Sequence, residues 1–244
     1  MINSIRVEGI TKKYNGTNVV SDISFEVKSG EFIGLLGPNG AGKTTTLEII
    51  EGLREADAGE VFYDDQSIRF ARVLQRIKCF IGIQLEQCNY FEKLYLGEVV
   101  RLFATFYGIK ISVEKTEKIL TEFELPVKKF YHHLSAGQKK RFSLCLALLH
   151  DPQVIFLDEP TLGLDINGRN YLWQRIKQLK KEGKTLIIAT NLLQEAEELC
   201  DRVILINQGE IVLQGKPDEL KEKFNTDNLE KVFIDITGGN INEN

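Results

Sequence analysis

Eight consecutive residues constrain this chain most: Gly37, Pro38, Asn39, Gly40, Ala41, Gly42, Lys43 and Thr44. They follow the apolar run Glu31 to Leu36 and lead into a stretch, Lys43 to about Leu53, that reads as a helix. The pattern GxxxxGK[ST] between a strand and a helix is the arrangement in which backbone N–H groups close around phosphate oxygens. The helix N-terminus adds partial positive charge. In that geometry Lys43 reaches the β- and γ-phosphates and Thr44 ligates Mg²⁺. The loop residues and the adjoining Thr45 are therefore candidate nucleotide ligands. This reading implies an α/β fold but does not fix the class, because GTPases, kinases and motor ATPases share the loop.

A second apolar run, Val154 to Leu157, ends in Asp158 and Glu159. A buried strand of this kind delivers Asp158 to its C-terminal edge beside the phosphate loop, where it can hold Mg²⁺ directly or through water. Glu159 is then placed as general base for an attacking water. Ordinary surface acids capping a strand give the same letters. Leu134-Ser135-Ala136-Gly137-Gln138 precedes a helix that begins near Gly137, with Lys139, Lys140 and Arg141 in its first turns. Basic residues there oppose the helix dipole, as if the end awaits an anion. Taken alone, a plain Ser-capped helix with solvated lysines is the better reading.

Elsewhere, Ile5 to Val7, Ser24 to Val27, and Glu60 to Tyr63 read as strands. Leu96 to Tyr107 and Ser112 to Phe123 read as helices of an inserted lobe. Strand and helix then alternate through Asn167–Lys181, Thr185–Ala189 and Leu192–Cys200. A hairpin turns at Asn207 to Glu210, and Pro217 to Phe224 is helical. Leu229 to Ile236 is amphipathic, with Asp227 and Glu230 as an expected capping box. The expectation is one α/β domain over 1–244: a P-loop NTPase core with an N-terminal antiparallel β-subdomain, an inserted helical subdomain at about 88–150, and a tail at about 225–244.

Of the 244 residues, 43% are hydrophobic and 27% charged, enough apolar material for a sizeable core. The net charge of -4 gives no field favouring nucleic acid. Cys79, Cys88, Cys145 and Cys200 form no CxxC pair and are expected as small buried hydrophobes. Apolar stretches such as Leu144 to Leu149 fall well short of the roughly 18 residues a membrane span needs, so any spanning must fall to another chain.

Taken in order, GPNGAGKT, LSAGQ, VIFLDEP and Thr161-Leu162-Gly163-Leu164-Asp165 resemble the ATPase domain of ABC transporters over about residues 3 to 224. By that resemblance, Gly37 to Thr44 is the Walker A loop and Val154 to Glu159 is Walker B with the catalytic glutamate. Leu134 to Gln138 is the signature, with Ala136 in place of the first glycine. Leu164-Asp165 is the D-loop and Tyr14 the aromatic that stacks on adenine. The family implies ATP and Mg²⁺ as ligands and two cassettes closing head to tail, so that Ser135, Gly137 and Gln138 of one copy meet the nucleotide of the other. The basic first turns of the signature helix would then find their partner in the γ-phosphate. It also implies a permease whose cytoplasmic helix docks near Gln84 to Leu96, and a location on the inner face of the cell membrane. The tail around Leu229 to Phe233 resembles ATPases serving drug, antibiotic-peptide and polysaccharide exporters.

Two positions depart from the family pattern. Glu86 stands where a Mg²⁺-ligating glutamine is expected, with Gln84 and Gln87 nearby and Gln87 able to take the role after a local shift. Asn191 stands where a histidine contacts the γ-phosphate. All three histidines, His132, His133 and His150, lie upstream. Asn191 can donate an amide hydrogen bond but carries no proton or charge. The expected site binds ATP and hydrolyses it slowly, or relies on a partner with a complete site. The alternatives are an ABC-type ATPase that works without a permease and an ATP-gated regulator.

Overall fold

A computed structural model of the protein describes residues 2–86, 90, 91 and 93–237. Two long strands, β1 (Ser4–Tyr14) and β2 (Thr17–Lys28), form an antiparallel hairpin. After β3 (Phe32–Leu36) and α1 (Lys43–Ile50), the chain returns through β4 (Ala58–Tyr63) and β5 (Gln66–Ser67) to complete a four-stranded sheet ordered β2-β1-β4-β5. The short helix α2 (Ala71–Ile77) then leads to β6 (Ile81–Gln84).

The lobe follows: α3 (Leu96–Phe106), α4 (Val113–Glu122), a 3-10 turn at Tyr131–His133, and α5 (Ala136–Ala147). The expected helix boundaries agree to within about a residue. Ser112 caps α4 by accepting from Lys115 N–H at 3.1 Å. The chain then runs β7 (Val154–Asp158), α6 (Ile166–Lys181), β8 (Thr185–Thr190), α7 (Leu193–Leu199), β9 (Arg202–Asn207), β10 (Glu210–Gly215), α8 (Pro217–Lys223) and α9 (Leu229–Thr237).

The second sheet has the order β10-β9-β3-β8-β7-β6. It is parallel except for its edge strand β10, which turns back from β9 through Gln208 and Gly209, both at positive φ. Central strands of such a sheet are covered on both faces and so read as continuous apolar runs. Their alternate residues feed two cores. Ile33, Leu35, Phe156 and Ile187 pack against α1 and the antiparallel sheet. Phe32, Leu36, Leu157 and Ile188 pack against the later helices and the lobe. Phe156 is fully buried, so Phe156→Ala would cost about 3–5 kcal/mol.

Two local readings differ. Asn228, not Asp227, accepts the Lys231 N–H (3.0 Å) at the start of α9, while Asp227 pairs with the Lys231 ammonium. Cys145 and Cys200 are buried, but Cys79 is exposed. Cys88, Gln87 and residues 238–244 lie outside the described residues.

Candidate functional site

The sheet explains the site. β3, β7 and β8 are parallel neighbours, so their C-terminal ends bring the phosphate loop, Asp158-Glu159 and Asn191 to one edge. Loop conformation depends on a close approach at Gly42, where φ is +102° and an added Cβ would lie 2.4 Å from the Val19 carbonyl oxygen. A neighbouring strut links the loop to the late hairpin: Gly209 donates to the Ala41 carbonyl at 3.0 Å, and Ser21 donates to the Gly209 carbonyl at 2.8 Å.

Asn39, Gly40, Gly42, Lys43, Thr44, Thr45, Glu86, Glu159 and Asn191 line one cavity of about 500 Å³, together with Val19 and Leu162, which the sequence did not indicate. Lys43 is buried. Its ammonium donates to the carbonyls of Gly37 (2.9 Å) and Pro38 (3.2 Å) and lies 3.6 Å from the Glu159 carboxylate. Burial lowers the Lys43 pKa, against the pull of Glu159 and Asp158. Thr44 donates its hydroxyl to Asp158 Oδ1 at 3.2 Å. Burial raises the Asp158 carboxyl, which the Thr44 hydrogen bond opposes, and pushes Glu159 up to about 7 despite Lys43.

Glu159 has a φ of 45°, an uncommon backbone state for a residue with a side chain. Its N–H donates to the Ala189 carbonyl at 2.8 Å, and its carboxylate accepts weakly from Asn191 N–H at 3.4 Å. The Asn191 amide donates to Asn39 Oδ1, also at 3.4 Å, and its own Oδ1 has no partner among the described residues.

The remaining expected residues lie apart. Tyr14 is exposed, with the Arg54 guanidinium over its ring, and does not line the cavity. Ser135, Gly137 and Gln138 lie at the start of α5, also outside the cavity lining. There Ser135 and Gln138 form a reciprocal capping box. Gln84 is wholly buried, its amide unpartnered among the described residues, so it does not stand in for Glu86 at the cavity.

The basic residues in the first turns of α5 have partners within the chain that the sequence did not indicate. Lys139 lies 5.4 Å from the Tyr131 ring centroid and Arg141 pairs with Glu124. Lys140 donates to the Glu86 and Glu159 carbonyls. Deeper in, Glu195 on α7 accepts from the Thr161 hydroxyl (2.7 Å) and the Trp173 indole (3.1 Å), bracing the chain after Glu159. Only its remoteness in sequence concealed that network.

Residues 20–162 match the family described as ABC transporter. The chain belongs to that family. It is 35% identical over 224 residues to "Nod factor export ATP-binding protein I" of Ralstonia nicotianae, covering 88% of this chain and 68% of the relative. It is also 35% identical over 252 residues to the protein of that name from Rhizobium johnstonii, covering 98% and 76%. Among solved structures, an ATP-binding subunit of an ABC transporter aligns with a TM-score of 0.85 at 28% identity, over 97% of this chain and 99% of that one. A dimeric bacterial ABC transporter cassette aligns at 0.80 with 29% identity, over 87% and 98%. A post-hydrolysis dimer bound to ADP and Pi aligns at 0.79 with 28% identity, over 87% and 98%. This chain is accordingly an ABC-type ATPase that binds ATP, and the α/β fold with an antiparallel sheet and helical parts is that of the cassettes.

Proposed function

We propose that this chain powers export by a separate membrane permease, working on the inner face of the cell membrane as one of two cassettes paired head to tail. The single observation that carries the pairing is the separation within one chain: the cavity holds the phosphate loop and Glu159, whereas the Ser135 end of α5 does not line it. A second copy, or a related ATPase subunit, supplies that end. The dimeric cassettes among the similar structures support this, and the Nod factor export proteins among the relatives support the exporter assignment. Among the described residues no helix is long and apolar enough to cross a membrane, which leaves the spanning to a permease.

In the proposed reaction Lys43 holds the β- and γ-phosphates and Glu159 takes the proton of the attacking water. Burial raises Glu159 toward neutrality, where a base can both hold and release a proton. Among the described residues no three His, Cys, Asp or Glu side chains converge as metal ligands. Thr44 and Asp158, hydrogen-bonded to each other, fit Mg²⁺, which takes one or two protein ligands and completes its shell with phosphate oxygens and water. Bound there, it would neutralise phosphate charge. Tyr14 stacks on the adenine at the outer end of the site. Glu86 adds negative charge at the cavity and Asn191 supplies a neutral donor in place of an imidazole, so turnover is slow.

The test is the behaviour of Glu159→Gln co-expressed with the candidate permease. ATP and Mg²⁺ should hold it as a stable cassette pair on the membrane, and removal of nucleotide should release the pair. A variant that binds ATP yet remains monomeric, with and without the permease, refutes the pairing.

A further inference from the structure

Lys140 is the side chain that the nucleotide chemistry described above leaves without a task. It lies in the early turns of α5, where a cation opposes the helix dipole, so helix stability does not explain it. Its ammonium instead reaches out of the lobe to two backbone oxygens of the core. One is the Glu159 carbonyl, at 2.6 Å, and the other is the Glu86 carbonyl, at 3.0 Å. A charged donor makes each of these stronger than a neutral hydrogen bond.

The two acceptors are not arbitrary. Glu159 has the uncommon φ of 45°, a conformation that persists only where the surroundings over-determine it. Its N–H is held by Ala189 and its carbonyl by Lys140, so both peptide groups flanking the α-carbon are pinned. Lys140 is the only one of these two restraints to come from a different lobe. The same ammonium fixes the backbone at Glu86, which also lines the cavity.

We propose that Lys140 is a positioning residue for ATP hydrolysis, tying the helix behind Ser135 to the backbone of Glu159 and Glu86 in the same chain and so aiming the Glu159 carboxylate. The inference rests on the reading of Glu159 as the base. It adds a direction of communication. In the head-to-tail pair, the Ser135 end of α5 meets the partner's nucleotide, and Lys140 passes any displacement of that helix to this chain's own Glu159. The device has one ammonium as its link and needs no change of fold.

Lys140→Met and Lys140→Arg separate this role from a merely structural staple. Hydrogen bonds to a charged group stabilise by enough that losing them should lower turnover at saturating ATP about ten- to a hundredfold. ATP affinity, measured as an equilibrium Kd, should stay within roughly threefold, because no phosphate contact is removed. Lys140→Arg, which keeps the donor, should recover most of the turnover. Mixed pairs in which one chain carries Glu159→Gln locate the effect. The loss should be about tenfold larger when Lys140→Met shares a chain with intact Glu159 than when it shares one with Glu159→Gln. Unchanged turnover overturns the proposal, as does an equal loss in both mixed arrangements. Should Lys140→Met fail to fold, Lys140→Leu, which likewise lacks a donor, is judged by the same results. If Glu159→Gln alone forms no ATP-dependent pair, the pairing itself is wrong, and the split between turnover and Kd still decides for Lys140.

Discussion

Glu51 closes α1 as its C-cap and is 1% exposed, with neither carboxylate oxygen hydrogen-bonded among the described residues. Burial, with smaller contributions from Asp158 and Glu48, pushes its pKa up to about 8 from a usual 4.5. The folded protein therefore keeps the proton at neutral pH and the unfolded chain loses it. Because the native state binds more protons, stability is fully present below pH 4.5 and declines as pH rises toward 8. In that window the slope is about 1.4 kcal/mol per pH unit. Glu51→Gln keeps the shape and removes the titration. Between pH 5 and pH 7.5 the wild type should lose about 3 kcal/mol relative to Glu51→Gln. Urea unfolding of both proteins at three or four pH values, without nucleotide or Mg²⁺, measures that difference, and other titrating groups cancel in it. Parallel pH profiles would show that Glu51 is hydrated and ionised in the folded state, and the argument would fail.

Lys43→Ala should abolish hydrolysis and weaken ATP strongly, as read by nucleotide titration, because the only buried cation that lines the cavity among the described residues is removed. Tyr14→Ala should weaken ATP binding while Tyr14→Trp should not, if the exposed ring stacks on adenine. Gly42→Ala should reduce both stability and nucleotide affinity, since its methyl would press on the Val19 carbonyl; unchanged binding would mean that the loop repacks freely. Glu86→Gln with Asn191→His should raise turnover about tenfold or more, by about 1.4–3 kcal/mol of barrier, in a complex whose partner carries Glu159→Gln. A fall in rate would show that Asn191, hydrogen-bonded toward Asn39, already serves the site as it stands.

The legible parts of this chain share a cause. β3, β7 and β8 are apolar through their middles because both faces of a parallel sheet are covered, and each ends where chemistry begins. That made the loop, Asp158 and Glu159 readable together. The helix α2 left little trace in the sequence because it is only about two turns long, too short for a repeated apolar stripe, and only Ile77 of it is buried. The partners of Lys139, Lys140 and Arg141 within the chain, Tyr131, Glu124 and two backbone carbonyls, were not legible because they come from tertiary packing and not from the helix itself. Val19 and Leu162 reach the cavity for the same reason. Pattern identifies what must be buried, while these contacts depend on which loops the fold brings side by side.

The strut from Gly209 to Ala41 has a consequence for biosynthesis. The phosphate loop is complete in sequence once residue 44 has been made, yet its surroundings include the Val19 carbonyl on one side and the Gly209 hairpin on the other. A chain emerging from the ribosome folds from its N-terminal end, but the Ala41 carbonyl gains this partner only once residue 209 has cleared the exit tunnel. Tight ATP binding is therefore expected to follow the making of the Gly209 hairpin, and chains truncated before residue 209 should hold nucleotide more weakly than longer ones.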